Sequence, residues 1–416
     1  MEKKPLRVFL AGIRENKTTK AESESLIREL ESLAQTLGLE LVGQEIVNIR
    51  EHHSQYGMGT GKAAELAEKA VSLGADCLIF DREISPSQQR NWEELSGLSA
   101  IDRQELIIQI FTGRARTREA VLQAELAELT YSLPRLHHKY IDLNRQRGGR
   151  YGTRGSGETR LETDRRKIEQ RIHRLGEELK EVQRQRETQR KQRQKKQIPV
   201  CSLVGYTNAG KSSLFNALAK AEVLTEDKLF ATLDSTSRRL ELPSGLSVLL
   251  VDTVGFIRRL PHTLVKAFHS TLEEASLSDL LIHVLDASDP DEEAHWETTQ
   301  AVLQELKAAD IPRITVLNKA DKPEARECLE RLKEKHDAAI PVSAVTGEGF
   351  SELFACIESF LSGSIYRYSF PQSRPDLAAL LHRNGTVLSE KYQGEQIEME
   401  ARVDKATAGK LKEFAL

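Results

Sequence analysis

Through the first hundred residues, short apolar runs alternate with segments whose apolar residues recur at helical spacing. Val8 to Ile13 is an apolar run of strand length, and Ala21 to Leu37 carries Leu26, Ile27, Leu30, Leu33, Ala34 and Leu37 on one helical face before Gly38 stops it. Leu39 to Val47 predicts a second strand, Ala63 to Leu73 a helix ended by Gly74, and Cys77 to Phe80 a buried strand. This alternation predicts an N-terminal parallel α/β domain over 1–102. From Arg103 to Leu133 the pattern turns helical. In Leu161 to Gln197 apolar residues occur only at Leu161, Ile168, Ile172, Leu175, Leu179 and Val182, near-heptad gaps that fit one stripe on a long helix. A long helical hairpin over 103–197 follows, its arms joined by a glycine-rich loop, residues 148–159, where helix would be costly. Ile198-Pro199 ends the second arm.

Beyond it, the apolar runs at 200–204, 247–251, 280–285, 314–317 and 340–342 alternate with helical segments that include 214–219 and 350–361. These predict a doubly wound α/β domain over 198–362. A small α+β C-terminal domain, 363–416, contains the alternating strand Ile397 to Val403. The fold class is α/β.

Composition and charge narrow the function. The chain has 416 residues, about three domains at roughly 150 residues each, and it is 39% hydrophobic and 30% charged. No apolar run approaches the ~18 residues that span a bilayer, and the stretch after Met1-Glu2-Lys3-Lys4-Pro5 is too brief for a secretion signal, so a cytoplasmic protein is expected. Cys77, Cys201, Cys328 and Cys356 are far apart, which argues against a disulfide framework or a zinc site. The net charge of −3 hides an uneven distribution: residues 145–197 hold 18 Lys/Arg and 8 Asp/Glu, a local +10 against −13 elsewhere. That split favours a local polyanion contact.

The most specific string is Gly205-Tyr206-Thr207-Asn208-Ala209-Gly210-Lys211-Ser212-Ser213, between an apolar strand run and the helical Leu214 to Ala219. It matches G-x-x-x-x-G-K-S in the context that motif requires: amides close around phosphate at a helix N-terminus, Lys211 reaches the β and γ oxygens, and Ser212 ligates Mg²⁺. Asp252-Thr253-Val254-Gly255 ends the next strand, where the carboxylate can hold Mg²⁺ through water and the Gly255 amide can meet the γ-phosphate. Asn318-Lys319-Ala320-Asp321 follows the strand 314–317. There Asp321 can accept hydrogen bonds from guanine N1 and N2, while Lys319 packs on the ring. Ser343-Ala344 fits the loop that meets guanine O6. Four strings at the carboxyl ends of predicted strands define a crevice for GTP and GDP.

These strings resemble the translation-factor-related GTPases. The resemblance implies that Thr232, in Phe230-Ala231-Thr232-Leu233-Asp234, is a switch I threonine joining the Mg²⁺ shell, and that Lys211, Thr232 and Gly255 serve catalysis. Phe256 follows Gly255 where Ras-type proteins carry a water-orienting glutamine, so slow unaided hydrolysis is expected. Asn208 has two readings, a K⁺ ligand beside the β and γ phosphates as in some relatives of this class, or a residue bonding its own loop.

Gly149-Arg-Tyr-Gly-Thr-Arg-Gly-Ser-Gly-Glu-Thr-Arg-Leu-Glu-Thr-Asp-Arg-Arg166, with the α/β region ahead and the GTPase region behind, is similar to the HflX family of ribosome-associated GTPases, with Ser156 and Arg160 departing from the family pattern. Arg147, Arg150, Tyr151, Arg154 and Arg160 are candidate RNA-binding residues, by phosphate pairing or base stacking. The resemblance implies a partner in the large (50S) ribosomal subunit and its rRNA, release of stalled or idle ribosomes, and a monomeric, ribosome-associated protein. Gly57-Met58-Gly59-Thr60-Gly61-Lys62 is a weaker motif with three readings: a structural turn, an RNA-phosphate contact, or a second site for ATP in an RNA-remodelling enzyme. A ribosome-assembly GTPase is a further alternative.

Overall fold

The computed structural model describes residues 4–16, 18–136, 154–194, 198–220, 229–233, 235–259, 274–336, 338–361, 364–403, 407–408 and 411–416. Its first sheet contains β1 (Arg7–Arg14), β2 (Glu40–Asn48), β3 (Cys77–Phe80) and β4 (Ser99–Asp102), all parallel in the order β2-β1-β3-β4. Alternate residues serve opposite faces, as the pleat requires. Val8, Leu10, Cys77 and Ile79 pack under α1 (Lys20–Thr36) and α4 (Arg103–Arg114), while Phe9, Ala11, Leu78 and Phe80 pack under α2 (Thr60–Ser72) and α3 (Pro86–Ser96). A strand covered on both faces reads as an unbroken apolar run, which is why β1 and β3 are legible in the sequence.

Two of the expected hairpin's features differ. The first arm is broken: α4 ends at Arg114 and α5 (Arg118–Ser132) restarts from Thr117, whose hydroxyl accepts the Ala120 N–H at 3.2 Å. Leu106, Ile107, Ile110 and Phe111 bury α4 against the sheet, and α5 with the turn after it, Leu133–Arg135, packs on the second arm. That arm, α6 (Arg154–Gln194), is 41 residues, ~60 Å at 1.5 Å per residue. It also begins inside the glycine-rich string, so Arg154 and Arg160 lie on a helix rather than on the expected loop. Each glycine costs about 1 kcal/mol in a helix, but extending a formed helix adds one backbone hydrogen bond per residue without a new nucleation step. Arg147, Arg150 and Tyr151 lie outside the described residues. Along α6, Leu175 is fully buried, Ile168, Ile172, Leu179 and Val182 are half-buried, and Arg171 grips Glu125 of α5 through two bonds of 2.7 Å.

The second sheet contains β5 (Val200–Gly205), β6 (Thr236–Glu241), β7 (Ser247–Asp252), β8 (Leu280–Asp286), β9 (Arg313–Asn318) and β10 (Ile340–Pro341), in the order β10-β9-β8-β5-β7-β6. It is parallel except for β6, an antiparallel edge partner of β7. Its helices among the described residues include α7 (Lys211–Ala219), α8 (Glu292–Glu305), α9 (Pro323–Lys335) and α10 (Phe350–Leu361). Strand order reverses at β5, which opens a crevice at its carboxyl end. The C-terminal sheet, β11 (Ser364–Pro371), β12 (Gly385–Gln393) and β13 (Gln396–Val403), is antiparallel in the order β11-β13-β12, with Tyr368, Phe370, Ile397 and Met399 packed against Leu377 and Leu381 of α11 (Pro375–Asn384). Among the described residues no helix is long and apolar enough to cross a membrane.

Truncating the buried stripe should loosen the hairpin selectively. Leu175→Ala is expected to cost on the order of 2–4 kcal/mol, read as faster amide exchange confined to α5 and α6. Unchanged exchange would mean that the stripe does not hold the hairpin together.

Candidate active site

The crevice at the end of β5 is walled by Thr207, Asn208, Gly210, Lys211, Ser212, Ser213, Phe230, Ala231, Thr232, Thr253 and Gly255. Gly205, Tyr206, Ala209 and Val254 are buried behind that wall. Gly210 caps α7 at φ 88°, where it has no side chain to compete for the first-turn amides, and a Cβ there would collide with Asn318. Gly255 is hemmed in from two sides, since an added Cβ would lie 2.7 Å from Thr207 Cα and 2.8 Å from Lys211 Nζ. The turn thus brings backbone up to the position where a phosphate would sit.

Lys211 is buried, and its ammonium donates to the carbonyls of Gly205 at 3.2 Å and Tyr206 at 2.7 Å. Burial pushes its pKa down to about 8, with Asp252 pulling the other way. Ser212 Oγ donates to Asp252 Oδ2 at 2.6 Å and stands 2.6 Å from Thr232 Oγ1. Burial raises the Asp252 pKa, against hydrogen bonds and the nearby Lys211, and its Oδ1 is buried with no partner among the described residues. Three hard oxygen donors converging with one unmet carboxylate oxygen fit an ion such as Mg²⁺. No cluster of three or more His, Cys, Asp or Glu residues suited to a metal occurs among the described residues.

The predicted base loop meets the P-loop through side chains. Asn318 Nδ2 donates to Ala209 O at 2.9 Å, and its Oδ1 accepts the Ala344 N–H at 3.3 Å. Lys319 donates to Asn208 O at 3.0 Å and pairs with Asp286 at 2.6 Å. Ser343 Oγ accepts the N–H groups of Val345 and Thr346, shaping the last loop. Asp321 stands half-buried after β9. Thr253 uses its hydroxyl for the fold, donating to Leu203 O at 2.6 Å. Phe256 is buried and pinned: its N–H donates to Gly205 O at 3.0 Å and its carbonyl accepts the Thr207 N–H at 2.8 Å. Its side chain offers no polar atom to a water. In the weaker N-terminal motif, Gly59 caps α2 without a side-chain bond and Lys62 is exposed.

The site continues into the first domain, which sequence reasoning did not foresee. The Tyr206 hydroxyl and Arg103 both donate to Glu29 of α1, and Arg258 reaches the same carboxylate at 3.1 Å. Arg258 also donates to Ser25 Oγ at 2.6 Å, and its backbone accepts from Arg103 at 3.0 Å and donates to the Tyr206 hydroxyl at 2.9 Å. Arg259 approaches Asp81 at the end of β3 at 3.4 Å. On the other side of the crevice Phe230 packs edge-to-face on Phe111 of α4, with ring centroids 4.7 Å apart. The available signal was Glu29 itself, a carboxylate on the stripe formed by Leu26, Leu30 and Leu33.

Burial favours the neutral form of Glu29, but Arg103, Arg258 and the Tyr206 hydroxyl outweigh it and hold the carboxyl below its usual range. Its contribution is therefore present above its ordinary pKa of 4.5 and is lost as pH falls through the lower folded value. Removing it leaves the buried Arg103 and the half-buried Arg258 without their carboxylate. Glu29→Ala should cost roughly 3–5 kcal/mol in thermal or denaturant unfolding at neutral pH, a deficit that shrinks in acid; an undiminished melting transition would refute this account. Lys211→Ala should weaken guanine-nucleotide affinity roughly 10–100-fold, the ~1.5–3 kcal/mol of hydrogen bonds to charged groups. Equilibrium titration with a fluorescent GDP checks it.

Comparison with known proteins agrees with this geometry. Residues 24–112 match the family described as GTP-binding GTPase N-terminal, 114–193 the GTP-binding GTPase middle region, and 200–319 the 50S ribosome-binding GTPase family. The GTPase HflX of Akkermansia muciniphila is 46% identical, covering 98% of this chain and 96% of its own. That of Escherichia coli K12 is 42% identical, covering 90% and 86%. A GTP-binding protein of Sulfolobus solfataricus, solved in complex with GDP, is similar over 86% of this chain and 98% of its own at 24% identity, with a TM-score of 0.43, a likeness too loose to carry an argument. With full-length identity above two-fifths and a P-loop crevice built as described, the chain belongs to the HflX GTPases and is a GTP hydrolase.

Proposed function

We propose that this chain is a GTP-operated switch that binds the large ribosomal subunit and splits or rescues stalled ribosomes. The observation that carries the reading is the attachment of Arg258, three residues beyond Gly255, to Glu29 and Arg103 of the first domain. Nucleotide contacts that move this segment must act on the domain leading into the basic hairpin. In this reading the P-loop amides and Lys211 hold the phosphates. Ser212, Thr232 and Asp252 would hold Mg²⁺, Asp252 by way of water, and the ion would supply neutralisation of phosphate charge. Asn318, Lys319, Asp321, Ser343 and Ala344 select guanine. Arg147, Arg150, Tyr151, Arg154 and Arg160 engage rRNA, which makes the protein cytoplasmic and ribosome-associated.

Hydrolysis forms a bond from water oxygen to the γ-phosphorus and breaks the bond to the β-phosphate oxygen, so the protein acts mainly by positioning and charge. Lys211 stabilises charge on the phosphate oxygens, and the Gly255 amide holds the γ-phosphate. Phe256 cannot orient the water, so the reading requires help from the ribosome or from K⁺ held at Asn208.

Steady-state GTP hydrolysis in K⁺ and in Na⁺, with and without purified large subunits, tests this. At least ~10-fold stimulation by the subunit is expected, and no stimulation in either salt would overturn the ribosomal reading. A faster rate in K⁺ alone assigns the ion to Asn208 if Asn208→Ala abolishes the difference. Replacing Arg150 and Arg154 with Ala should weaken subunit binding and lower its salt slope by about 2, leaving GTP affinity unchanged.

A further inference from the structure

Tyr206 is the residue at which the P-loop meets the segment after β7. It bridges to Phe256, its carbonyl accepts the Lys211 ammonium at 2.7 Å, and its hydroxyl accepts the Arg258 N–H at 2.9 Å while donating to Glu29. Its ring needs support from the other side. His295, in the first turn of α8, supplies that support: the imidazole lies flat on the tyrosine, with centroids 3.7 Å apart and planes 17° from parallel. Both side chains are buried.

We propose that His295 is a positioning residue for GTP hydrolysis, which fixes the Tyr206 ring and through it the Lys211 ammonium and the Arg258 backbone. It touches none of the reacting atoms. A tyrosine free to turn about χ1 would give up its hydrogen bonds to Arg258 and Glu29 together, and the P-loop turn carrying its carbonyl would lose its anchor. The stack makes that rotation unfavourable because the imidazole occupies one face of the ring.

The imidazole faces Asp289, whose carboxylate stands 3.6 Å from Nδ1, together with Asp291 ahead of α8, Arg258 beyond β7 and Glu29 on α1. Burial lowers its pKa, Asp289 opposes this, and Arg258 lowers it further, with Glu29 and Asp291 opposing; the net direction is down from 6.5. The ring is therefore neutral at pH 7. Protonation below that range works against its burial and against Arg258, and loosens the stack.

The test is GTP hydrolysis by the full chain without ribosomes, for wild type, His295→Ala and His295→Phe between about pH 5.5 and 8. His295→Ala should lower kcat/KM about 3- to 10-fold, and His295→Phe, which keeps a flat ring, should recover most of it. Wild-type kcat/KM should hold through the ordinary imidazole value of about 6.5 and fall only at more acid pH, because the folded ring protonates below that value, and that decline should be reduced in His295→Phe. Three results would overturn the proposal: wild-type kcat/KM in the Ala variant, a Phe variant as impaired as Ala, or a Phe variant with the full wild-type acid decline. Should the Ala variant fail to fold, the Phe variant and the two pH profiles still decide. Because no ribosome is present, the result stands apart from the ribosomal reading.

Discussion

One buried carboxylate, Glu29, is the constraint on which the arrangement of the first two α/β domains depends. It takes donors from Arg103 in its own domain and from Tyr206 and Arg258 in the other. A lone charge at this depth would cost several kcal/mol, and so would either guanidinium without it. The three therefore stabilise one another only when the two domains are docked with the Tyr206 ring and the segment after β7 in place. Apolar packing alone would let the surfaces slide. A shared, directional ion cluster gives them a single register.

That register has chemical consequences. The segment following Gly255 is the part of the crevice best placed to respond to a γ-phosphate, and its Arg258 is spent on an inter-domain bond. Phe256, one residue after Gly255, is buried and pinned to the P-loop by two backbone hydrogen bonds. The crevice therefore gathers Lys211, Ser212, Thr232 and Asp252, groups suited to phosphate and a hard cation, but the residue after Gly255 offers no polar side chain to a water. Phe230 on the opposite wall is likewise committed to α4. Both walls lean on the first domain, so their mobility is set partly by a domain that contains none of the P-loop motifs.

Much of this could be read along the chain. Strands covered on both faces, such as β1, β3 and β8, are short apolar runs, and α1 shows its stripe plainly. Elements with weak patterns were missed. Helix α3 buries a single residue, Trp92, β4 is four residues long, and β6 is an edge strand with two arginines in its middle. The break between α4 and α5 was also hidden, because both helices carry apolar residues on nearly all sides and periodicity cannot separate consecutive buried helices. Glycines in the string before α6 argued for a loop, whereas cooperativity with a long helix carries the backbone through Gly155 and Gly157.

By itself the sequence determined the local chemistry: the P-loop, Asp252, the guanine strings and the missing glutamine are contiguous motifs whose function follows from spacing of a few residues at a strand end. The tertiary structure decided which distant groups share one environment. Glu29, Arg103, Arg258 and His295 are separated by up to 266 positions, and no periodicity relates them. Their meeting depends on how two sheets dock, and docking is set by the summed burial of whole faces and by the need of each buried charge for a partner. A motif is readable because its geometry is local, and a buried ion cluster becomes visible only when the chain has folded around it.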